Sequence, residues 1–165
     1  MIGLGNTLRH DDGAGVEVIR RLARRATARG IAVHEHHGEP LALLDLWEGA
    51  RAAVLVDAAR SGAPAGTVRR FEASERPLPT ALRGSSSTHA LSVAEAIELA
   101  RALGRLPERL VLLTVEGRLF DAGSGFSAQV EAALDSLAEA ALREARRLSS
   151  VSCADAGSST TARHA

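Results

Sequence analysis

The feature that most constrains the fold is a continuous apolar run at residues 52–56, Ala-Ala-Val-Leu-Val, which ends at Asp57. A strand that is apolar on both faces is typical of a parallel sheet covered by helices on both sides, because a strand with one wet face alternates apolar and polar residues. A second apolar run at 109–115 ends at Glu116. The first run predicts a buried parallel strand and the second predicts another strand of the same sheet.

Helical patterns alternate with these strands. Apolar residues recur at helical spacing over 13–29, and Pro40 opens a shorter pattern over 41–48. This alternation is typical of an α/β fold, here a three-layer α/β/α arrangement around a mostly parallel, twisted sheet of five strands. The remaining predicted elements are a short first strand at 1–4, strands at 31–36 and 67–71 (the latter at an edge), and helices at 92–103 and 129–148.

Chain length and composition predict one domain followed by a tail. The 165 residues are 45% hydrophobic, which is enough for a core in a single domain over residues 1–148. Residues 149–165 are small and polar and predict a disordered tail, which holds the single cysteine, Cys153. Because the first strand is shorter than the usual five to six residues or so, we expect the start codon to be placed too late.

The balance of charges and the lack of targeting patterns argue against several classes of function. Twenty basic residues balance twenty acidic ones, so no net field attracts nucleic acid or an anionic membrane. The chain has no apolar stretch of about 20 residues and no secretory signal pattern. One cysteine forms no intramolecular disulfide, which fits a reducing compartment. We therefore expect a cytoplasmic protein without nucleic-acid or membrane partners.

The amino-terminal segment is the strongest candidate for a site. Gly3, Gly5 and Asn6 form a glycine-rich turn after the first strand, and an acidic pair, Asp11-Asp12, follows directly before Gly13. Glycine serves where the backbone takes positive φ or approaches another group closely. Carboxylates crowded against such a turn repel each other unless a cation or a proton separates them. The segment therefore indicates metal chemistry.

Three polar features fall at the carboxyl ends of predicted strands, where open parallel sheets bind their ligands. Asp12, Asp57 and His89 offer two oxygen donors and one imidazole nitrogen, a set that suits a divalent metal with open positions. Each also has an ordinary structural explanation. Asp12 caps a helix, although Asp11 is the better cap candidate, Asp57 ends a strand at a turn, and His89 bonds to neighbouring hydroxyls.

Other chemistries fit the sequence less well. A dinucleotide site needs a third glycine where this chain has Leu8, and the acidic pair would repel phosphate. The serine run at 85–87 lacks the Gly-x-Ser-x-Gly pattern of serine hydrolases. The histidines at 34, 36 and 37 are split between two strand faces by alternation, so we predict a structural role, with His36 or His37 supporting the ligands.

Three motifs in order resemble the hydrogenase maturation endopeptidases. The resemblance runs from residue 1 to about residue 148, and the separations between the motifs match as well as the residues. The motifs are Gly3-x-Gly5-Asn6 with Asp11-Asp12-Gly13-x-Gly15, then Val54-Leu55-Val56-Asp57-Ala58, then Ser87-Thr88-His89-x-Leu91.

The resemblance implies a protease that removes the C-terminal extension of a nickel-iron hydrogenase large-subunit precursor after nickel insertion. It implies that nickel supplied by the precursor is the recognition signal, that no nucleotide is needed, and that the metal-contacting residues are Asp12, Asp57 and His89. The alternative is an accessory protein or chaperone that senses the metal and binds the precursor without cleaving it.

The chain departs from the family pattern in two places. Family members usually have several more apolar residues before the first glycine, and many carry an aspartate near the end of the second strand. This chain has His36-His37-Gly38 there, followed by Glu39. We expect Gly38 to belong to the substrate loop, through backbone contacts of the Gly38-Glu39-Pro40 turn or through the Glu39 carboxylate.

Overall fold

The computed structural model describes residues 1–37, 40–82 and 92–156. Its central layer is a five-stranded sheet in the order β2-β1-β3-β5-β4. Neighbouring strands run parallel except for β4, which is antiparallel to β5. The predicted edge position at residues 67–71 is therefore confirmed. The strands are β1 (Ile2–Leu4), β2 (His34–His36), β3 (Ala52–Ala59), β4 (Val68–Glu72) and β5 (Arg109–Glu116).

Helices cover both faces of the sheet, which confirms the predicted three layers. On one face, α1 (Ala14–Thr27) and α4 (Ala128–Ala156) bury one core cluster against the side chains of Val54 and Val56. On the other face, α2 (Leu43–Leu46) and α3 (Val93–Ala102) bury a second cluster against Leu55. Successive side chains of a strand point to opposite faces, so a strand buried on both sides must be apolar throughout.

Glycines bring α1 directly against the sheet. A Cβ on Gly15 would overlap the carbonyl oxygens of Val56 and Leu4, and a Cβ on Gly3 would overlap the carbonyl oxygen of Gly15. No larger residue fits at either position without moving backbone. The first turn of α1 is thereby held against β1 and β3, and the segment before it lies over the carboxyl ends of these strands.

Some predicted boundaries differ from the structure. The strand predicted at 31–36 is reduced to His34–His36, because Ile31 and Val33 pack against the core without joining the ladder. The helix predicted at 41–48 consists of a 3₁₀ turn, Pro40–Ala42, and a single turn of α2, after which Trp47 is buried and donates its indole N–H to the carbonyl of Arg105.

The start of α3 agrees with the prediction from the sequence, whereas the end of α4 does not. Ser92 caps α3, its hydroxyl accepts the Glu95 amide, and Glu95 bonds back to the Ser92 amide, as the predicted start at 92 requires. The helix predicted to end at residue 148 continues to Ala156, and the Ser149 hydroxyl within it donates to the Ala145 carbonyl one turn earlier. Residues 157–165 of the predicted tail lie outside the described residues.

No helix in the described part of the chain is both long enough and apolar enough to cross a membrane.

Candidate metal centre

The turn after β1 brings Asp12 back over the end of the strand. Gly5 has φ of +123° and its amide donates to the carbonyl of His36 on β2 at 3.2 Å. The Asn6 amide donates to Oδ2 of Asp12 at 3.0 Å, and a Cβ on Gly5 would overlap the Asp12 carbonyl oxygen. Only glycine tolerates both the positive φ and this close approach. The predicted roles of Gly5 and Asn6 therefore have a geometric basis: they hold Asp12 against the turn.

Gly13 completes this turn. It ends a 3₁₀ segment, His10–Gly13, and serves as the cap residue of α1. A Cβ on Gly13 would press against Cα of Thr7. No side chain caps α1, so the proposal that Asp11 or Asp12 serves as an N-cap is wrong.

Asp57 lies near the end of β3, on the face covered by α2 and α3, since its strand neighbours Leu55 and Ala59 belong to that core cluster. The Ala58 amide donates to Oδ1 of Asp57 at 2.9 Å. Burial and, secondarily, the charge of Asp12 raise the pKa of Asp57 to about 7. Asp12 and Asp57 are therefore close enough for their charges to repel each other. Such proximity is what two ligands of one cation require.

The remaining predicted members of the site lie outside the described residues. These are His89 and Gly38, together with Glu39. In the ranges 1–37, 40–82 and 92–156, no group of three or more His, Cys, Asp or Glu side chains is arranged to hold a metal. The structure thus brings together Asp12 and Asp57, while the position of His89 stays a prediction from the sequence.

Asp11 has a role that sequence reasoning missed. Its carboxylate is fully buried and accepts four hydrogen bonds from the loop after β5. Burial alone would raise the pKa of Asp11, but hydrogen bonds from the amides of Leu119, Arg118 and Ser127 and from the Ser127 hydroxyl outweigh burial and lower it. Asp11 thus fastens the amino-terminal turn to residues 118–127. No local pattern announces this, because the partners are 107 to 116 residues away.

Backbone contacts reinforce this attachment. The His10 amide donates to the carbonyl of Gly123 at 3.2 Å, and the Gly123 amide donates to the carbonyl of Leu8 at 2.9 Å. The Arg9 guanidinium donates to the Phe120 carbonyl through Nε at 3.0 Å and through a terminal nitrogen at 2.7 Å. His10 takes a positive φ of 47°, with its ring over Gly123, where a side chain would collide. Backbone and side-chain hydrogen bonds therefore join the amino-terminal turn to the 118–127 loop along one border of the candidate site.

A second buried carboxylate organises the neighbouring loop. Glu116, at the end of β5, is 4% exposed and accepts from the Ser61 amide at 2.6 Å, the Ser61 hydroxyl at 2.7 Å and the Gly62 amide at 2.8 Å. An acidic residue that directly follows an apolar strand was its only sequence signal. Glu116 anchors the loop that follows β3.

Among the three neighbouring histidines, the His37 side chain lies against the turn, next to the His36 carbonyl that accepts the Gly5 amide. Its Nδ1 lies 3.1 Å from the carbonyl oxygen of Gly5, and its Nε2 lies 3.4 Å from a carboxylate oxygen of Glu35. Glu35 in turn accepts two hydrogen bonds from the guanidinium of Arg20. His37 therefore supports the segment that holds Asp12, consistent with the structural role predicted for this cluster.

Comparisons with known proteins identify the family. A family model described as hydrogenase maturation protease matches residues 16–144, a range that contains Asp57 and His89 and begins after Asp12. The hydrogenase expression/formation protein HupD of Thiocapsa roseopersicina is 29% identical over 144 residues, which are 86% of this chain and 65% of that protein. This chain therefore spans less than two thirds of the length of that relative.

Two solved structures share the fold over most of both chains. The hydrogenase maturating endopeptidase HybD from E. coli is 25% identical with a TM-score of 0.67, over 87% of this chain and 90% of its own. The [NiFe] hydrogenase maturation protease HybD from Thermococcus kodakarensis is 26% identical with a TM-score of 0.68, over 87% and 96%. By the family model and by its fold, this chain belongs to the hydrogenase maturation protease family.

Proposed function

We propose that the protein is an endopeptidase that removes the C-terminal extension of a nickel-iron hydrogenase large-subunit precursor once nickel has been inserted. Membership of the maturation protease family supports the reaction class and the precursor as partner. The nickel belongs to the substrate. The proposal also assigns the protein to the cytoplasm, a reducing compartment that fits a chain with a single cysteine.

The observation that carries the proposal is the pairing of Asp12 and Asp57 at the carboxyl edge of the sheet. The charge of Asp12 raises the pKa of Asp57, which shows that the two carboxylates lie close together. Such a pair is stabilised by a proton or by a cation. Two oxygen donors, or three donors with His89, bind a divalent cation weakly by themselves. They gain affinity when the precursor presents a metal that its own thiolates already hold.

This arrangement explains how the protein would distinguish a nickel-loaded precursor from a nickel-free one. Without nickel, the approaching precursor brings no positive charge, so the pKa of Asp57 stays raised and its carboxyl holds a proton at pH values below about 7. With nickel, the carboxylates and the metal attract each other. A metal held by these residues would also polarise a scissile carbonyl or activate water, as metals do in other hydrolases.

The same geometry argues against a nucleotide. The turn after β1 is filled by Asp12, whose carboxylate accepts the Asn6 amide that a phosphate oxygen would otherwise need. The negative charge next to that amide repels phosphate. The proposal therefore includes no nucleotide bound at this turn.

A cleavage assay tests the proposal. The purified protein is incubated with its large-subunit precursor, with and without prior nickel loading, and the C-terminal mass loss is measured. We expect cleavage of the nickel-loaded precursor only. Asp12→Ala, Asp57→Ala and His89→Ala should each abolish it. Glu108→Ala, which removes an exposed carboxylate directly before β5 at the opposite edge of the sheet, should leave it unchanged.

Two outcomes would overturn the proposal. Processing that survives all three alanine substitutions would exclude the metal site. Binding of the nickel-loaded precursor without cleavage would instead favour the accessory protein that senses nickel, and His89→Ala then tests whether binding and cleavage separate.

A further inference from the structure

The acidic pair is divided between two environments. Asp11 is fully buried, whereas its neighbour Asp12 remains partly exposed. Oδ2 of Asp11 accepts the amides of Arg118 and Leu119 at 2.7 and 2.9 Å and the Ser127 hydroxyl at 2.8 Å. Oδ1 accepts the Ser127 amide at 2.7 Å, immediately before α4. A carboxylate that accepts four hydrogen bonds inside the protein has little capacity left to bind a cation.

The backbone around Asp11 is fixed as well. The Asp11 amide donates to the Leu119 carbonyl at 3.1 Å, and the Asp12 amide donates to the Arg9 carbonyl at 3.1 Å within the 3₁₀ turn. Asp11 and Asp12 are consecutive residues of this turn, so any displacement of Asp11 moves the Cα of Asp12. The direction of the Asp12 carboxylate therefore depends on the loop that Asp11 holds.

We propose that Asp11 is a positioning residue that acts through Asp12. By fastening the turn to residues 118–127, it fixes the Asp12 carboxylate at the place where the precursor's metal arrives. The expected effect on precursor cleavage rests on the proposed function, whereas the expected effect on the position of the Asp12 carboxylate does not. The 118–127 loop thereby becomes part of the site without contributing a ligand.

Asp11→Asn tests the proposal with a nearly isosteric side chain. An amide oxygen in place of Oδ2 keeps three acceptor contacts, but the amide NH₂ then faces the Ser127 amide, which is a donor too. The hydrogen bonds that join Asp11 to Arg118, Leu119 and Ser127, called the clamp from here on, must rearrange to relieve this contact. Ser127→Ala is a milder second variant, because it removes the hydroxyl bond and keeps the backbone bond.

Glu116→Gln is the matched control. Glu116 is also a buried carboxylate at the end of a strand, and it also accepts two backbone amides and a serine hydroxyl. Its substitution disturbs a clamp of the same kind, but the loop that it anchors holds no proposed ligand. A general loss of stability therefore affects both variants, whereas a loss of Asp12 positioning affects only Asp11→Asn.

The first readout is hydrogen exchange at the Asn6 amide, which donates to Asp12 and reports its position without substrate or metal. We expect about tenfold faster exchange at Asn6 in Asp11→Asn, a smaller increase in Ser127→Ala, and no change in Glu116→Gln. Unchanged exchange in Asp11→Asn, or an equal increase in Glu116→Gln, would overturn the proposal.

The second readout is the kinetics of precursor cleavage. Because a misplacement of about 1 Å costs about 100-fold in rate, we expect kcat to fall about 10- to 100-fold in Asp11→Asn with little change in KM. A rise in KM at constant kcat would contradict a positioning role. If wild-type protein does not cleave nickel-loaded precursor, the proposed function fails, and exchange at Asn6 still decides the role of Asp11.

Discussion

Asp11 and Asp57 lie at the same edge of the sheet and face opposite electrostatic conditions. Asp11 is fully buried and accepts four hydrogen bonds, whereas Asp57 is half-buried and, among the residues that the structure describes, accepts one hydrogen bond that acts on its pKa, from the amide of Ala58. The pKa of Asp11 is consequently lowered, and the pKa of Asp57 is raised to about 7. The comparison teaches that burial alone does not mark a functional carboxylate: what marks it is burial that the protein leaves uncompensated.

The largest effect on stability should come from removing the carboxylate of Asp11, whose burial is compensated by four hydrogen bonds. Asp11→Ala leaves three buried amides and a hydroxyl without their acceptor, so we expect the free energy of unfolding to fall by about 3–5 kcal/mol. Thermal unfolding at pH 7 measures it. Because the folded pKa is lowered, this difference should persist at neutral pH and shrink as the pH falls through the folded pKa. A loss below 1 kcal/mol would erase the contrast between the two aspartates.

Removing the uncompensated charge should have the opposite sign. Between the ordinary pKa of 3.8 and about 7, folded protein keeps a proton on Asp57 that unfolded protein has released, so stability falls as the pH rises through this window. Asp57→Asn should therefore match wild type near pH 4 and exceed it by about 1–2 kcal/mol at pH 8, because residual exposure reduces the effect.

Thermal unfolding of metal-free Asp57→Asn against pH, with chelator present, checks this expectation. The same variant should lose cleavage, so stability and activity should change in opposite directions. Equal stability of variant and wild type at pH 8 would mean that Asp57 is not strained in the folded protein.

A partial disruption of the clamp should cost less. Ser127→Ala removes one of the four hydrogen bonds to Asp11 and leaves three backbone donors, so we expect a loss of about 1 kcal/mol. Chemical denaturation of this variant beside Asp11→Ala would show how far the clamp acts as a unit. A loss as large as that of Asp11→Ala would assign the clamp to the hydroxyl alone.

The smallest effect should come from Asp12→Asn, which tests how much the charge of Asp12 contributes to the raised pKa of Asp57. Asp12→Asn removes the secondary cause of the raised pKa of Asp57 and leaves burial, the larger cause, in place. The Asp57 titration, followed by carbon NMR of its carboxyl, should move down but stay above the ordinary value. An unchanged midpoint would show that the two carboxylates do not interact.

The layered fold and the proximity of Asp12 to Asp57 could be predicted because the sequence signals for the strands that these residues follow or end are local. The apolar run before Asp57 specifies a strand buried on both faces, and the Ser92 and Glu95 capping box specifies the start of α3. The role of Asp11 could not be predicted. Its four donors come from a loop more than 100 residues away, and an acidic residue before a helix looks the same whether it caps that helix or binds elsewhere.

The clamp between Asp11 and residues 118–127 also bears on when the site can exist. During synthesis the amino-terminal turn leaves the ribosome early, but its hydrogen-bond donors follow only after 107 to 116 further residues. Until then Asp11 is a solvated charge, and nothing fixes the direction of Asp12. A nascent or truncated chain that ends before Ser127 therefore carries the sequence of Asp11 and Asp12 without the geometry that the clamp gives them.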